Sequence, residues 1–337
     1  MNCSRRHSPI RFVVLFSILI TYFTLNRTQT SERLTISFED PDIPLYEIDE
    51  IIQTYLVKKP PKYITEYDRN MLGFIKTHKT ASTTITNLFL RLSTEKKLKV
   101  AVPPYRHWEL FSYPAVLSEE NEQYSFTPDV LCHHVRFNRT ALEIILNSNK
   151  PFVATNLREP AKAVISGFSF FKDFPYPKWF ESKNLTESAT QFAENPTEFY
   201  NPETPWHFRA RNYQAFDLGL ISDVYSESEH KVTADRVLEL INFLEDNFNF
   251  VLITDQLNES ILQLKHFLNL DSNMILHLPL KTIKDERKIH VDRATERRLN
   301  EWNKVDYVLW KYRVLNLVTS GQMFSMRAEL RDHFINF

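Results

Sequence analysis

Apolar runs of strand length, each followed by a stretch with helical periodicity, predict an α/β fold around a central parallel sheet. Three observations carry that prediction. The runs "MLGFI", "PFVATNLREP" and "FVLITDQL" end in charged or proline-containing turns. Amphipathic segments such as "TTITNLFLRLS" and "ADRVLELINFLEDNF" separate them. The 337 residues, 43% hydrophobic and rich in aromatics with 26 Phe and 14 Tyr, are enough for a substantial core in one large domain or two small ones.

In chain order, "MLGFI" from Met71 reads as a buried strand. The next segment aligns Ile85, Leu88, Phe89 and Leu92 on one helical face. "LKVAVPP" reads as a second strand stopped by Pro103 and Pro104, and "DVLCHHV" as a short third. "TALEIILNS" is helical. "PFVATNLREP" is a strand ending in a charged loop, and a helix starts after Pro160. Val237, Ile241, Leu244 and Phe248 share a helical face ahead of the strand "FVLITDQL". "NESILQLKHFLNL" and "ATERRLNEWNKVDYVLWKYRVLNLV" complete the chain as helices.

The N-terminus reads as an address. Arg5, Arg6, His7 and Arg11 precede an uncharged run, Phe12 to Leu25. Counted from Ile10, a helix here covers about 24 Å, slightly short for a bilayer core of about 27 Å; snorkelling of Arg11 absorbs the difference. No small-x-small cleavage site follows Leu25, so a retained anchor is favoured over a cleaved signal peptide. The basic flank predicts a cytoplasmic tail at 1–11, a transmembrane signal anchor at 12–25 and a lumenal remainder, a single-pass type II membrane protein. The sequons at Asn26, Asn138, Asn184 and Asn258 agree with lumenal exposure. Residues 26–68 read as a stem, acidic in "SFEDPDIPLYEIDE" and broken by the proline pair of "VKKPPKY", with a short helix around Ile48 to Leu56; the folded domain is expected at 69–337.

Composition excludes several functions. A net charge of −1 offers no basic field for nucleic acid. Cys3 and Cys132 cannot form a disulfide framework or a Cys-rich zinc site, and across a membrane they cannot pair; Cys132 reads as a small buried side chain. With only Gly73, Gly167, Gly219 and Gly321, a Gly-rich phosphate cradle is impossible.

The stretch "GFIKTHKTASTTITNLFLRL" therefore stands out. It places Lys76, Thr77, His78, Lys79, Thr80, Ala81, Ser82, Thr83 and Thr84 in the turn after the first strand and at the start of the first helix. A helix N-terminus carries unpaired N–H groups and partial positive charge, and it binds phosphate. Two lysines add full charges and the hydroxyls add donors. The P-loop glycines are absent, which argues against an ordinary ATP- or GTP-hydrolysing enzyme.

"FIKTHKTASTTITNLFLRL" resembles the 5′-phosphosulfate-binding motif of the Golgi galactose-3-O-sulfotransferases, the family that includes cerebroside sulfotransferase. The resemblance continues through "LCHHVRFNR", "NLREPAKAVISGFSFF", "ARNYQAFDLG", "FNFVLITDQLNESILQLKHFLNLD" and "LNEWNKVDYVLW", covering most of residues 71–315 in order. It implies a P-loop-like three-layer sulfotransferase fold in the domain from residue 69. It also implies the sulfate donor PAPS as co-substrate with no metal, and a Golgi membrane location. One departure is that the family often has Gly where Ser82 stands.

The resemblance assigns Arg158 and Ser166 to the 3′-phosphate of PAPS, a group that ATP lacks. His78 is the first choice for the base that deprotonates the acceptor hydroxyl. Lys79, and secondarily Lys76, neutralise the leaving phosphate. In the doublet His133–His134, His134 is the better family match for lining the acceptor site. Trp179, Trp206, His207 and Arg211 are candidates for holding a sugar. The function implied is transfer of sulfate to the 3-OH of galactose on a glycolipid or glycoprotein glycan. Transfer to another glycan such as a glycosaminoglycan, a nucleotide-dependent kinase and a non-catalytic lumenal glycan-binding protein remain as alternatives. A homo-oligomer is compatible with all of them.

Overall fold

The computed structural model describes residues 41–59, 64–103, 111–119, 124–171, 184–276 and 289–319. The expected anchor at 12–25, the sequon at Asn26, and Trp179 lie outside the described residues.

Among the described residues four parallel strands form the sheet: β1 (Asp68–Ile75), β2 (Val130–Leu131), β3 (Pro151–Leu157) and β4 (Phe250–Ile253), in the order β2-β1-β3-β4. Every residue of β3 and β4 is buried, as expected for a sheet covered on both faces. Alternation along each strand sends side chains to opposite sides. Leu72, Phe74, Phe152, Ala154, Phe250 and Leu252 pack with Ile85, Leu88, Phe89 and Leu92 of α2 (Ser82–Lys96). Ile75, Val153, Leu157, Val251 and Ile253 enter the larger core on the other side. There they meet Leu142 of α3 (Arg139–Ile145) and the expected face of α7 (Ala234–Asn247). Val305, Val308 and Leu309 of α10 (Lys304–Thr319) join the same core. α8 (Leu257–Leu268) lies on the α2 side through Ile261, Leu264 and Leu268. Helices thus cover both faces of the sheet.

The short helix expected within the stem is α1 (Leu45–Lys58), and it packs onto α7 and α10. Ile48 and Ile52 are fully buried in the larger core. Asp42, Asp49 and Tyr55 bond Lys304, Lys311 and Glu245.

One strand expectation is corrected, and the short strand expected in "DVLCHHV" is present as β2. "LKVAVPP" forms only an isolated bridge, Val100 to Val130, and β2 is two residues long. The chain runs along the sheet edge only briefly, and Pro103 and Pro104 have no N–H with which to extend the ladder. The last helix, expected as one, divides at Asn303 into α9 (Arg293–Trp302) and α10. The Asn303 side chain donates to Leu299 O at 2.8 Å and accepts the Asn212 N–H at 2.7 Å.

Between β3 and β4 lie α4 (Pro160–Phe170), with Pro160 at its first turn, α5 (Leu185–Glu194) and the short α6 (Tyr213–Asp217). Two sequon asparagines, Asn138 and Asn184, cap α3 and α5 through their side-chain oxygens, and Asn258 is exposed on α8. Cys132 is buried and forms no disulfide among the described residues, and burial pushes its thiol up to about 12.

Candidate functional site

The crossover from β1 leads to β2 on one side, while β3 lies on the other, so the strand order reverses between β1 and β3. In open α/β sheets the crevice at the carboxyl ends of such a pair receives ligands. The two segments singled out in the sequence emerge there. Residues 76–81 follow β1 and lead into α2; Arg158 follows β3 and leads into α4.

The 76–81 loop is fixed by its threonines. The Thr77 hydroxyl donates to Asn156 O and meets the Thr80 hydroxyl at 2.8 Å; the Thr80 hydroxyl reaches Thr77 O at 2.9 Å. The Asn156 amide donates to Thr80 O, and so does the Thr254 hydroxyl at 2.7 Å. Both Thr77 and Thr80 are fully buried. Their hydroxyls therefore brace the loop against β3, the Thr80 carbonyl ties it to the end of β4, and what the two residues offer a ligand is backbone.

Lys79 (φ 62°) and Ala81 (φ 57°) adopt the left-handed conformation that glycine usually fills, while Ser82 opens the helix. The glycine-like bends thus fall on either side of Thr80, not at Ser82. Ala81 occupies the N-cap position of α2 without a capping side chain, and the first turn carries no acidic residue. Ser82 and Thr84 are buried and Thr83 is half-buried. Lys76 is buried at the loop's start, and the Lys79 ammonium stands 3.7 Å above the Phe170 ring at the end of α4.

Arg158 is clamped by one side chain. The Gln214 amide oxygen accepts its backbone N–H at 2.8 Å, and the Gln214 amide nitrogen donates to its carbonyl at 2.9 Å. Gln214 is set in turn by Asp306, whose carboxyl accepts the Gln214 and Ala215 N–H groups at 3.1 and 2.7 Å. Burial raises the Asp306 carboxyl to about 7, against the pull of those backbone bonds. The Arg158 guanidinium donates to Lys79 O at 3.0 Å, while its Nε is buried with no hydrogen-bond partner among the described residues. Burial lowers the Arg158 pKa and the charges of Asp255 and Glu159 oppose that shift. Arg158 and the β1–α2 loop thus converge, and the orphaned donor suits an anion. Ser166 sits half-buried on α4, two turns further on.

His78 occupies the middle of the site. Its Nδ1 lies 2.9 and 3.0 Å from the two carboxyl oxygens of Asp217, at the end of α6, and its backbone N–H donates to the same group at 2.7 Å. The Tyr113 hydroxyl also donates to Asp217, at 2.8 Å. The His78 ring is stacked between His134, 3.8 Å away, and Tyr213, 4.5 Å away. His134 Nδ1 bonds Lys76 O at 3.0 Å. Burial, then the neighbouring His78 and Lys76, pushes the His134 imidazole well below its usual range, so it stays neutral. His133 turns away toward Phe111.

Of the sugar-holding candidates, Trp206 stacks on Tyr113 beside His78, and Arg209 is sandwiched between the rings of Trp206 and Phe171 at 4.3 and 4.2 Å. His207 and Arg211 belong elsewhere. His207 bonds the Tyr200 hydroxyl, and Arg211 forms a bidentate pair with Glu227 at 2.7 and 2.8 Å over the face of Trp302. The Arg211 bonds hold the Glu227 carboxyl at about 2.

Asp217, Tyr113, Tyr213 and Gln214 are site residues that the motifs in the sequence do not mark. The available signal was "NYQAFDLG", in which an amide and a carboxylate three residues apart interrupt an otherwise apolar helical turn.

The galactose-3-O-sulfotransferase family description matches residues 18–322. The galactosylceramide sulfotransferase of Mus musculus is 28% identical over 248 residues, covering 72% of this chain and 56% of that protein. Galactose-3-O-sulfotransferase 3 of Homo sapiens is 30% identical over 254 residues, 75% of this chain and 56% of that protein. The chain therefore spans little more than half the length of these relatives. The family match nevertheless runs through both loops of the switch point and every strand of the sheet, and the chain belongs to the galactose-3-O-sulfotransferase family.

Proposed function

We propose that this protein is a sulfotransferase that uses PAPS to sulfate a sugar hydroxyl, the 3-OH of galactose on a glycolipid or glycoprotein glycan. The observation that carries this reading is the meeting of two cationic loops and one oriented histidine at a single switch point. The uncapped N-terminus of α2, with Lys76 and Lys79, suits the 5′-phosphosulfate end of the donor. Arg158, whose buried Nε has no partner among the described residues, suits the 3′-phosphate, with Ser166 further along α4. When bound, PAPS supplies an activated sulfuryl group and a phosphate leaving group.

In this reading His78 accepts the proton of the acceptor hydroxyl as its oxygen bonds to sulfur and the bond from sulfur to the phosphate oxygen breaks. Lys79 and Lys76 offset the charge that develops on the departing phosphate. His134 flanks the His78 ring and lines the acceptor side, and Trp206 offers an aromatic face for a sugar. The similarity to a galactosylceramide sulfotransferase and a galactose-3-O-sulfotransferase favours a galactose acceptor. We also propose that residues 12–25 anchor the protein in the Golgi membrane with its catalytic domain in the lumen. The uncharged run and its basic flank support this.

The test is incubation of the full chain with labelled PAPS and a panel of glycans. Label on the 3-OH of terminal galactose is expected. Label only on glycosaminoglycan would overturn the acceptor assignment, and absence of transfer to any glycan would overturn the activity.

A further inference from the structure

Asp217 lies 139 positions from His78 in the chain and is fully buried. A buried carboxylate is costly unless its oxygens are satisfied. Its partners here are the His78 backbone N–H, His78 Nδ1 and the Tyr113 hydroxyl. Two of these three belong to the same histidine. The backbone bond fixes where the residue sits, and the ring bond fixes how the imidazole is turned. Stacking by His134 on one face and Tyr213 on the other removes the remaining rotation.

The chemical consequence concerns the two ring nitrogens. In a neutral imidazole one nitrogen carries the proton and the other the lone pair, and a hydrogen-bond partner decides which. A carboxylate can only accept, so Nδ1 must be the donor. The lone pair is then on Nε2, at the opposite edge of the ring. We infer that Asp217 is the positioning residue of this site: it holds His78 in the Nδ1–H tautomer, leaving Nε2 to receive a proton from the acceptor hydroxyl, and Tyr113 holds Asp217 in turn. After that transfer the same carboxylate faces an imidazolium and stabilises it. This inference rests on the reading of His78 as the base.

Replacing Asp217 by Asn tests it in the full chain. The amide oxygen can still accept the His78 backbone N–H, while the amide nitrogen, a donor, faces Nδ1. Nδ1 must then accept and the ring proton moves to Nε2, so the lone pair is lost from the working edge. Turnover (kcat) is expected to fall roughly 10²–10⁴-fold. Affinity for the desulfated nucleotide, 3′-phosphoadenosine 5′-phosphate, is expected to stay within about threefold, because no donor-loop cation is altered.

Two further measurements separate positioning from a merely structural role. Nitrogen-15 spectra of the ring at pH 8 should show Nδ1–H in the wild type and Nε2–H in Asp217→Asn; Nε2–H in both would overturn the inference. The double variant His78→Ala/Asp217→Asn should be no slower than His78→Ala alone; a loss equal to the product of the single losses would also overturn it. If Asp217→Asn fails to fold, Tyr113→Phe takes its place. It should lower kcat roughly three- to tenfold at unchanged nucleotide affinity, and an unchanged kcat would overturn the inference. The ring spectra do not depend on turnover. A His78→Ala enzyme that keeps full activity would therefore refute the base assignment, while the spectra would still decide what Asp217 does.

Discussion

Arg158 shows how much of the site depends on side chains that touch no ligand. Gln214 holds both of its backbone polar groups, so the guanidinium leaves the end of β3 in a fixed direction. Arg158→Ala is expected to weaken 3′-phosphoadenosine 5′-phosphate binding by roughly 10- to 100-fold, the loss of a charge-assisted contact of about 1.5–3 kcal/mol, and to weaken AMP far less. Calorimetry with both nucleotides reads the difference, and equal losses would remove the 3′-phosphate assignment. His78→Ala should leave nucleotide binding intact and cut turnover by about 10²–10⁴-fold. The types of residue in the donor loop were legible in the sequence, because charge and hydroxyls at a strand-to-helix turn have a direct physical meaning. Their orientations were not. Thr77 and Thr80 look the same as Thr83 in a string of letters, and only the position of Asn156 on the neighbouring strand turns their hydroxyls inward. Asp217 was hidden because nothing local links it to His78.

Among the elements, the short α6 is the most constrained. Asp306 accepts its first N–H groups, and its final residue is Asp217. Just beyond it, Gly219 has φ +75°, and a Cβ there would lie 2.4 Å from the Phe137 carbonyl oxygen. Gly219→Ala is expected to destabilise the protein by more than the 1–2 kcal/mol of left-handed strain alone and to lower kcat by displacing Asp217. A melting curve and an assay on one preparation would check both. At the start of α2 the opposite change is favourable: Ala81→Gly relieves a left-handed residue and should raise stability by up to about 1 kcal/mol. Strands and helices with clear periodicity were readable in advance, among them α2, α7 and α8. The failures have physical causes. A single bridge at a sheet edge gives "LKVAVPP" too few hydrogen bonds to be a strand, and the break at Asn303 depends on its distant partner Asn212.

For the molecule as a whole, Asp306 gives stability a pH dependence. Its folded value of about 7 lies above the ordinary 3.8, so the folded state keeps a proton that the unfolded chain has already released. Stability from this group should fall as pH rises from about 4 to about 7, and the wild type minus Asp306→Asn difference in denaturant midpoints isolates it. The α/β class and the location of the site at the strand ends were legible because they follow from alternation and topology. The place of α1 in the core was not, because its partners on α7 and α10 lie about 190 to 260 residues later in the chain. Truncating Ile48 or Ile52 to Ala should cost about 2–5 kcal/mol each, as for other buried aliphatics. The same helix has a practical bearing on protein preparation. A fragment that begins at residue 69, where the sequence suggests the boundary between stem and domain, would strip two isoleucines from their sockets and leave an oily trench along α7 and α10. Such material should self-associate during purification, whereas a fragment beginning at residue 41 keeps the trench filled.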